Sequence, residues 1–132
     1  MNPLVLAFGA FVVSVGVANA DDVIRLKAID LAAQTHKWDG KTVETELLCF
    51  YADLNEFRCV GSSVRIDFTK LTPDDARKKI ERDCDTMSKA MRPACIKRIR
   101  FIYSGFTSEE TSEGKKLTLI QTKDDAGEIV AK

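Results

Sequence analysis

From Thr42 the chain alternates every second residue. Val43, Thr45, Leu47, Cys49 and Tyr51 fall on one face, while Thr42, Glu44, Glu46, Leu48 and Phe50 fall on the other. That period predicts a long strand with one covered side. The second face begins charged and ends apolar, so its far end should be covered by something else. Asp53-Leu54-Asn55-Glu56 reads as a polar turn centred on Leu54, and Phe57-Arg58-Cys59-Val60 as the returning strand. After Gly61-Ser62-Ser63 the alternation resumes at Val64, Ile66 and Phe68, with Arg65 and Asp67 outward. A bulge or bend at Gly61 would let this strand curl.

The period then changes. Thr72-Pro73-Asp74-Asp75 is a helix start: Thr72 as cap, Pro73 at the first helical position, two acids at the positive end of the dipole. Capping explains Asp74 and Asp75 without any catalytic role. Ala76, Ile80, Cys84, Met87 and Met91 follow a helical stripe, and Pro93 limits the helix. Strand patterns return over Ile96–Phe106 and Leu117–Ile120, around an acidic loop at Ser108–Gly114. Upstream, Val23-Ile24-Arg25-Leu26 looks extended and Ala28–Gln34 favours a short helix across one end of the sheet. Trp38, beside the Asp39-Gly40 turn, is expected as a packing anchor.

Residues 1–20 are read as a leader rather than as fold. An apolar run from Leu4 to Val17 precedes Ala18-Asn19-Ala20, a small-x-small cleavage pattern, although no Lys or Arg precedes the run. Removing it leaves 112 of 132 residues, enough for one domain over 21–124 and a flexible tail over 125–132. The expected location is periplasmic or secreted.

Four cysteines in a small exported chain imply two disulfides, for which three pairings exist. With Leu54 at the turn centre, Cys49 and Cys59 oppose each other, close enough to bond. That leaves Cys84 with Cys95. A helix running to Arg92 would carry the chain about 12 Å from Cys84 at ~1.5 Å per residue. The three remaining residues reach back only about 10–11 Å. The pairing therefore predicts that the helix loosens near Ser88. The spacings match no zinc pattern, and there is no Cys-x-x-Cys.

The predicted fold is mainly β: five strands closing as a barrel, one helix between strands three and four, and a short N-terminal helix. The entry run Ala28-Ile29-Asp30-Leu31, followed by Trp38-Asp39-Gly40-Lys41-Thr42-Val43, resembles that of small exported bacterial OB-fold domains. These are similar in form to tRNA-binding OB-folds. The resemblance spans residues 23 to 122, departing where Cys49-Phe50 replaces a glycine often found at the end of strand one. It implies a ligand face on strands two and three, flanked by loops. Here that face would hold Phe50, Phe57, Arg58, Arg65 and Asp67, with Phe50 and Phe57 able to stack on a base or sugar.

Net charge is zero, yet Ala76–Arg100 carries nine basic and three acidic residues, so the remainder is −6. The basic run reads as a solvated helix face. His36 is the only histidine, which leaves two-histidine metal sites and histidine-based nucleophile systems without parts. Asp83-x-Asp85 lacks the glycine and glutamate of a calcium loop, and no Gly-x-Ser-x-Gly or phosphate-cradling loop occurs. No catalytic residue, cofactor or metal is assigned. The expected function is an exported binding or adaptor module recognising a protein, peptide or glycan on the barrel face. The alternative is a single-stranded nucleic-acid binder outside the cytoplasm.

Overall fold

The computed structural model describes residues 22–53, 55–85 and 91–131. The expected leader, the turn centre at Leu54, and the expectations at Met87 and Ser88 lie outside them.

The alternating segments become strands. The principal ones are β2 (Thr42–Asp53), β3 (Glu56–Gly61), β4 (Val64–Phe68), β6 (Ile96–Glu110) and β7 (Lys116–Thr122). β2 pairs antiparallel with β3, and β3 with β4; β4 runs parallel to β7; β7 and β2 both pair antiparallel with β6. Each of the five thus has two neighbours, and the pairings close into a ring. Three short strands flank it: β1 (Ile24–Arg25), β5 (Lys70–Thr72) and β8 (Ala126–Val130). The sheet therefore has eight strands where five were expected.

The interior follows from the period of two. Val43, Leu47, Cys49, Phe57, Cys59, Val64, Ile66, Phe68, Ile99, Phe101, Tyr103 and Ile120 are all buried. Cross-strand partners share a face, as Cys49 and Cys59 do: their Cα atoms lie 4.1 Å apart and their sulfurs are bonded. Trp38 is buried at the end of a 3-10 turn over Thr35–Trp38. Helix α1 (Ala28–Ala33) buries Ala28 and Leu31.

Several expectations are corrected. Gly61 is not at a bulge: β3 and β4 are separate strands joined by a tight turn at Ser62 and Ser63, both with positive φ. Such left-handed pairs match the twist of a two-residue hairpin. A Cβ at Gly61 would lie 3.2 Å from Leu47 and 3.4 Å from Ala28, so the glycine chiefly leaves room for the Leu47 side chain of β2. Helix α2 (Asp74–Asp83) is capped by Pro73 rather than Thr72, with Asp74 and Asp75 in its first turn. It stops at Asp83, short of Ser88, and Cys84 as its C-cap bonds Cys95 at a Cα separation of 6.1 Å. Met91, expected on the buried stripe, is 68% exposed because the helix has already ended. The hairpin of β6 and β7 zips up to Glu110 and Lys116, shortening the expected loop. The segment expected as a flexible tail is mostly strand: β8 pairs with both β6 and β5.

Candidate functional site

On β3 and β4 the outward residues alternate with the core: Arg58 and Val60 on one, Arg65 and Asp67 on the other. Register places Arg58 opposite Asp67 and Val60 opposite Arg65. Three of the expected ligand-face residues therefore meet. Arg58 Nε donates to Asp67 Oδ1 at 3.0 Å, and Arg65 donates through Nη2 to Oδ2 at 2.9 Å and through Nε to Oδ1 at 3.3 Å. Burial alone would raise the Asp67 carboxyl, but hydrogen bonds from Arg65 and Arg58 outweigh it and hold it below its ordinary value. The hydrogen bond to Asp67 likewise raises Arg65. Glu56 adds a looser contact to Arg58 at 3.7 Å. The result is a half-exposed guanidinium–carboxylate lattice with fixed spacing.

The other two expected residues do not join it. Phe57 is 2% exposed and points inward, where it tilts against Tyr51 at 5.3 Å. Phe50 stands opposite Arg58 yet is only 7% exposed. Neither ring has a face free for stacking on a base or sugar. Trp38, Phe68, Phe101 and Tyr103 are also buried. Among the described residues the exposed large hydrophobics are Ile29, Met91 and Ile102, with no aromatic among them.

A second charged array was not foreseen. Arg25, Glu44, Arg100 and Glu128 are successive cross-strand partners over β1, β2, β6 and β8. Glu44 is only 3% exposed, and three guanidinium groups surround it. Arg100 reaches its Oε1 at 2.8 Å, while Arg25 and Arg98 approach Oε2 at 3.4 and 3.7 Å. Arg98 also meets Glu46 at 3.5 Å, and Arg100 meets Glu128 at 3.9 Å. The sequence signal was the pair Glu44-x-Glu46 facing Arg98-x-Arg100. It becomes readable only once the register of β2 on β6 is known. Two members of the basic run, Arg98 and Arg100, are thereby neutralised within the fold. Arg77 adds pairs with Asp74 and Glu81, and Arg82 one with Asp83.

Open clefts surround these arrays. One, of about 720 Å³, lies between β1, α1 and the β3–β4 turn, with Arg25, Lys27 and Arg98 balanced by Asp30, Glu44 and Glu46. A second, of about 530 Å³, lies by β8 with Lys70, Arg100 and Lys123 against Asp124 and Glu128. A third, of about 450 Å³, is mainly apolar and lies between α2 and the end of β8. Among the described residues no group of three or more His, Cys, Asp or Glu side chains could hold a metal. No described helix is long and apolar enough to cross a membrane. Among the described residues a large shift in acidity belongs to Tyr103, pushed up to about 12 by burial and then by the charge of Asp39.

The fold and site define a mainly β chain with two disulfides and a closed ring of five strands. Such crosslinks are typical of extracellular and periplasmic proteins. Compared with known protein families, curated proteins and solved structures, the chain matches none.

Proposed function

We propose that this chain is an exported, non-catalytic OB-fold module that recognises a polypeptide on the outer face of β3 and β4. Strand order supports the OB-fold reading. The ring runs β2-β3-β4-β7-β6, closes through a parallel pair, and carries α2 between its third and fourth strands in sequence. That order fits the layout expected of a five-stranded Greek-key barrel. The observation that carries the functional reading is the Arg58–Asp67–Arg65 lattice beside half-buried Val60 and Leu119. Directional charges next to apolar surface suit a protein partner. Single strands and glycans call instead for an exposed ring on which a base or sugar can stack.

Site-specific photo-crosslinking tests this directly. A benzophenone side chain at Val60 should trap one discrete polypeptide in the producing cell, with far less at Lys79 on α2. Charge reversal at Arg58 and Arg65 should abolish the product. Absence of any Val60-specific adduct, or salt-sensitive retention of single-stranded DNA by the purified chain, would reject the reading.

A further inference from the structure

The residues beside the lattice continue around the ring. Cross-strand register links Leu119 to Arg65, Arg65 to Val60, Val60 to Leu48, and Leu48 to Ile96. Directly opposed residues point the same way, so these form one row on the outer surface, and all are half-buried. The row ends at Ile96, which itself lines the apolar cleft of about 450 Å³. The cleft's walls come from Ala76 on α2, the Pro93-Ala94 turn, and Ile129 and Val130 on β8. Its charged lining residues are Lys97 and Arg98, with no carboxylate among them. Arg98 is engaged by Glu44 and Glu46, whereas Lys97, which stands opposite buried Leu47 and so borders the cleft from the other side of β6 than Ile96, has no ion pair among the described residues. By contrast, cations and acids are balanced or nearly so in the two larger clefts.

We infer that row and cleft form one docking track for an extended polypeptide segment that combines apolar side chains with carboxylates. This rests on the polypeptide-binding reading above and adds the partner's chemistry and its path. Charge complementarity decides the sign: a cleft with cations and no acid favours a carboxylate-bearing occupant and repels a basic one. Shape decides the class. The cleft falls within the range of about 300–1,000 Å³ typical of ligand sites, but it is open and runs into a surface strip. An extended chain with alternate side chains facing the sheet matches that form. An enclosed pocket would suit a single lipid tail better.

Fluorescence polarisation with two labelled ten-residue peptides tests the track. One alternates leucine with glutamate and the other alternates leucine with lysine. The acidic peptide should bind saturably and the basic peptide should not. Lys97→Glu should weaken acidic-peptide binding about tenfold or more. Ala94→Trp, at an exposed position, should fill the cleft with the same effect, while circular dichroism reports an unchanged fold for both. No saturable binding of the acidic peptide overturns the inference, as does binding indifferent to both substitutions. Competition by decanoate but not by unlabelled acidic peptide overturns it in favour of a lipid occupant. Should Val60 crosslinking persist while these tests fail, the track falls and the broader reading stands. Loss of the Val60 adduct removes the broader reading itself.

Discussion

Tyr103 shows how a single side chain can record the closure of this ring. It is fully buried, its hydroxyl has no hydrogen-bond partner among the described residues, and its pKa is pushed up to about 12. A buried hydroxyl without a partner costs about 1–3 kcal/mol, so Tyr103→Phe should be neutral or mildly stabilising in urea denaturation. The hydroxyl also sets an alkaline limit. With a folded value above the unfolded one near 10, its contribution is complete below pH 10 and is lost as pH rises towards 12. Stability should fall across that window in the wild type and fall less in Tyr103→Phe. Asp67 works in the opposite direction. Its folded value is lowered from 3.8, so its contribution is present above pH 3.8 and disappears as pH falls through the lowered value. Glu44 is the most exacting residue of the charged array. Glu44→Ala leaves three arginines around an emptied position. Because those arginines reach solvent, its cost should lie at the lower end of the ~3–5 kcal/mol for breaking a buried pair. A double-mutant cycle with Arg100 would isolate the pairwise part.

At the scale of elements, each crosslink and each short strand has a mechanical reason to exist. The disulfides span separations of 10 and 11 residues, one tying β2 to β3 and the other tying the end of α2 to the start of β6. Replacing either pair with alanine should cost about 2–4 kcal/mol by calorimetry. β8 stays in place because it is wedged between β6 and β5, and because Gly127 lets it approach Phe68. A Cβ there would sit 2.6 Å from the ring. Gly127→Ala should therefore destabilise by about 1–3 kcal/mol through overpacking. This strand escaped the sequence because Ala126-Gly127-Glu128-Ile129-Val130 is short, contains glycine and follows a polar stretch. Its support comes wholly from neighbours. The first hairpin was legible for the converse reason: its pairing is local, although a register shift between Tyr51 and Asp53, as well as the short turn, sets Cys49 opposite Cys59.

For the whole molecule, legibility follows sequence distance. The two-residue period revealed the inner face of β2 and placed Arg65 and Asp67 outward, while the ligand face implied by the OB-fold resemblance added Arg58 to them. The period also put Phe50 at the apolar end of a face expected to be covered, and that cover removes the ring from solvent, so its expected stacking role fails, while Phe57 lies on the inward side. The Glu44 array was hidden because it depends on how Glu44 meets Arg100 across 56 residues. No local pattern encodes that register. The same long-range pairing closes the ring: β6 spans from β2 to β7, and β7 returns beside β4. Without that last contact the outer face would lie on an open sheet, and Leu119 would not stand beside Arg65. The row leading to the cleft would be broken at its start.

The pairing of β4 with β7 is thus the point on which the account turns, and isotope-edited nuclear Overhauser spectroscopy reads it directly. Parallel register predicts cross-peaks linking Val64, Arg65 and Ile66 with Thr118, Leu119 and Ile120. It also predicts slow exchange of the Thr118 amide, which donates to the Ser63 carbonyl at 2.8 Å. Cross-peaks of antiparallel register between these strands, or none at all with a freely exchanging Thr118 amide, would contradict the closed ring.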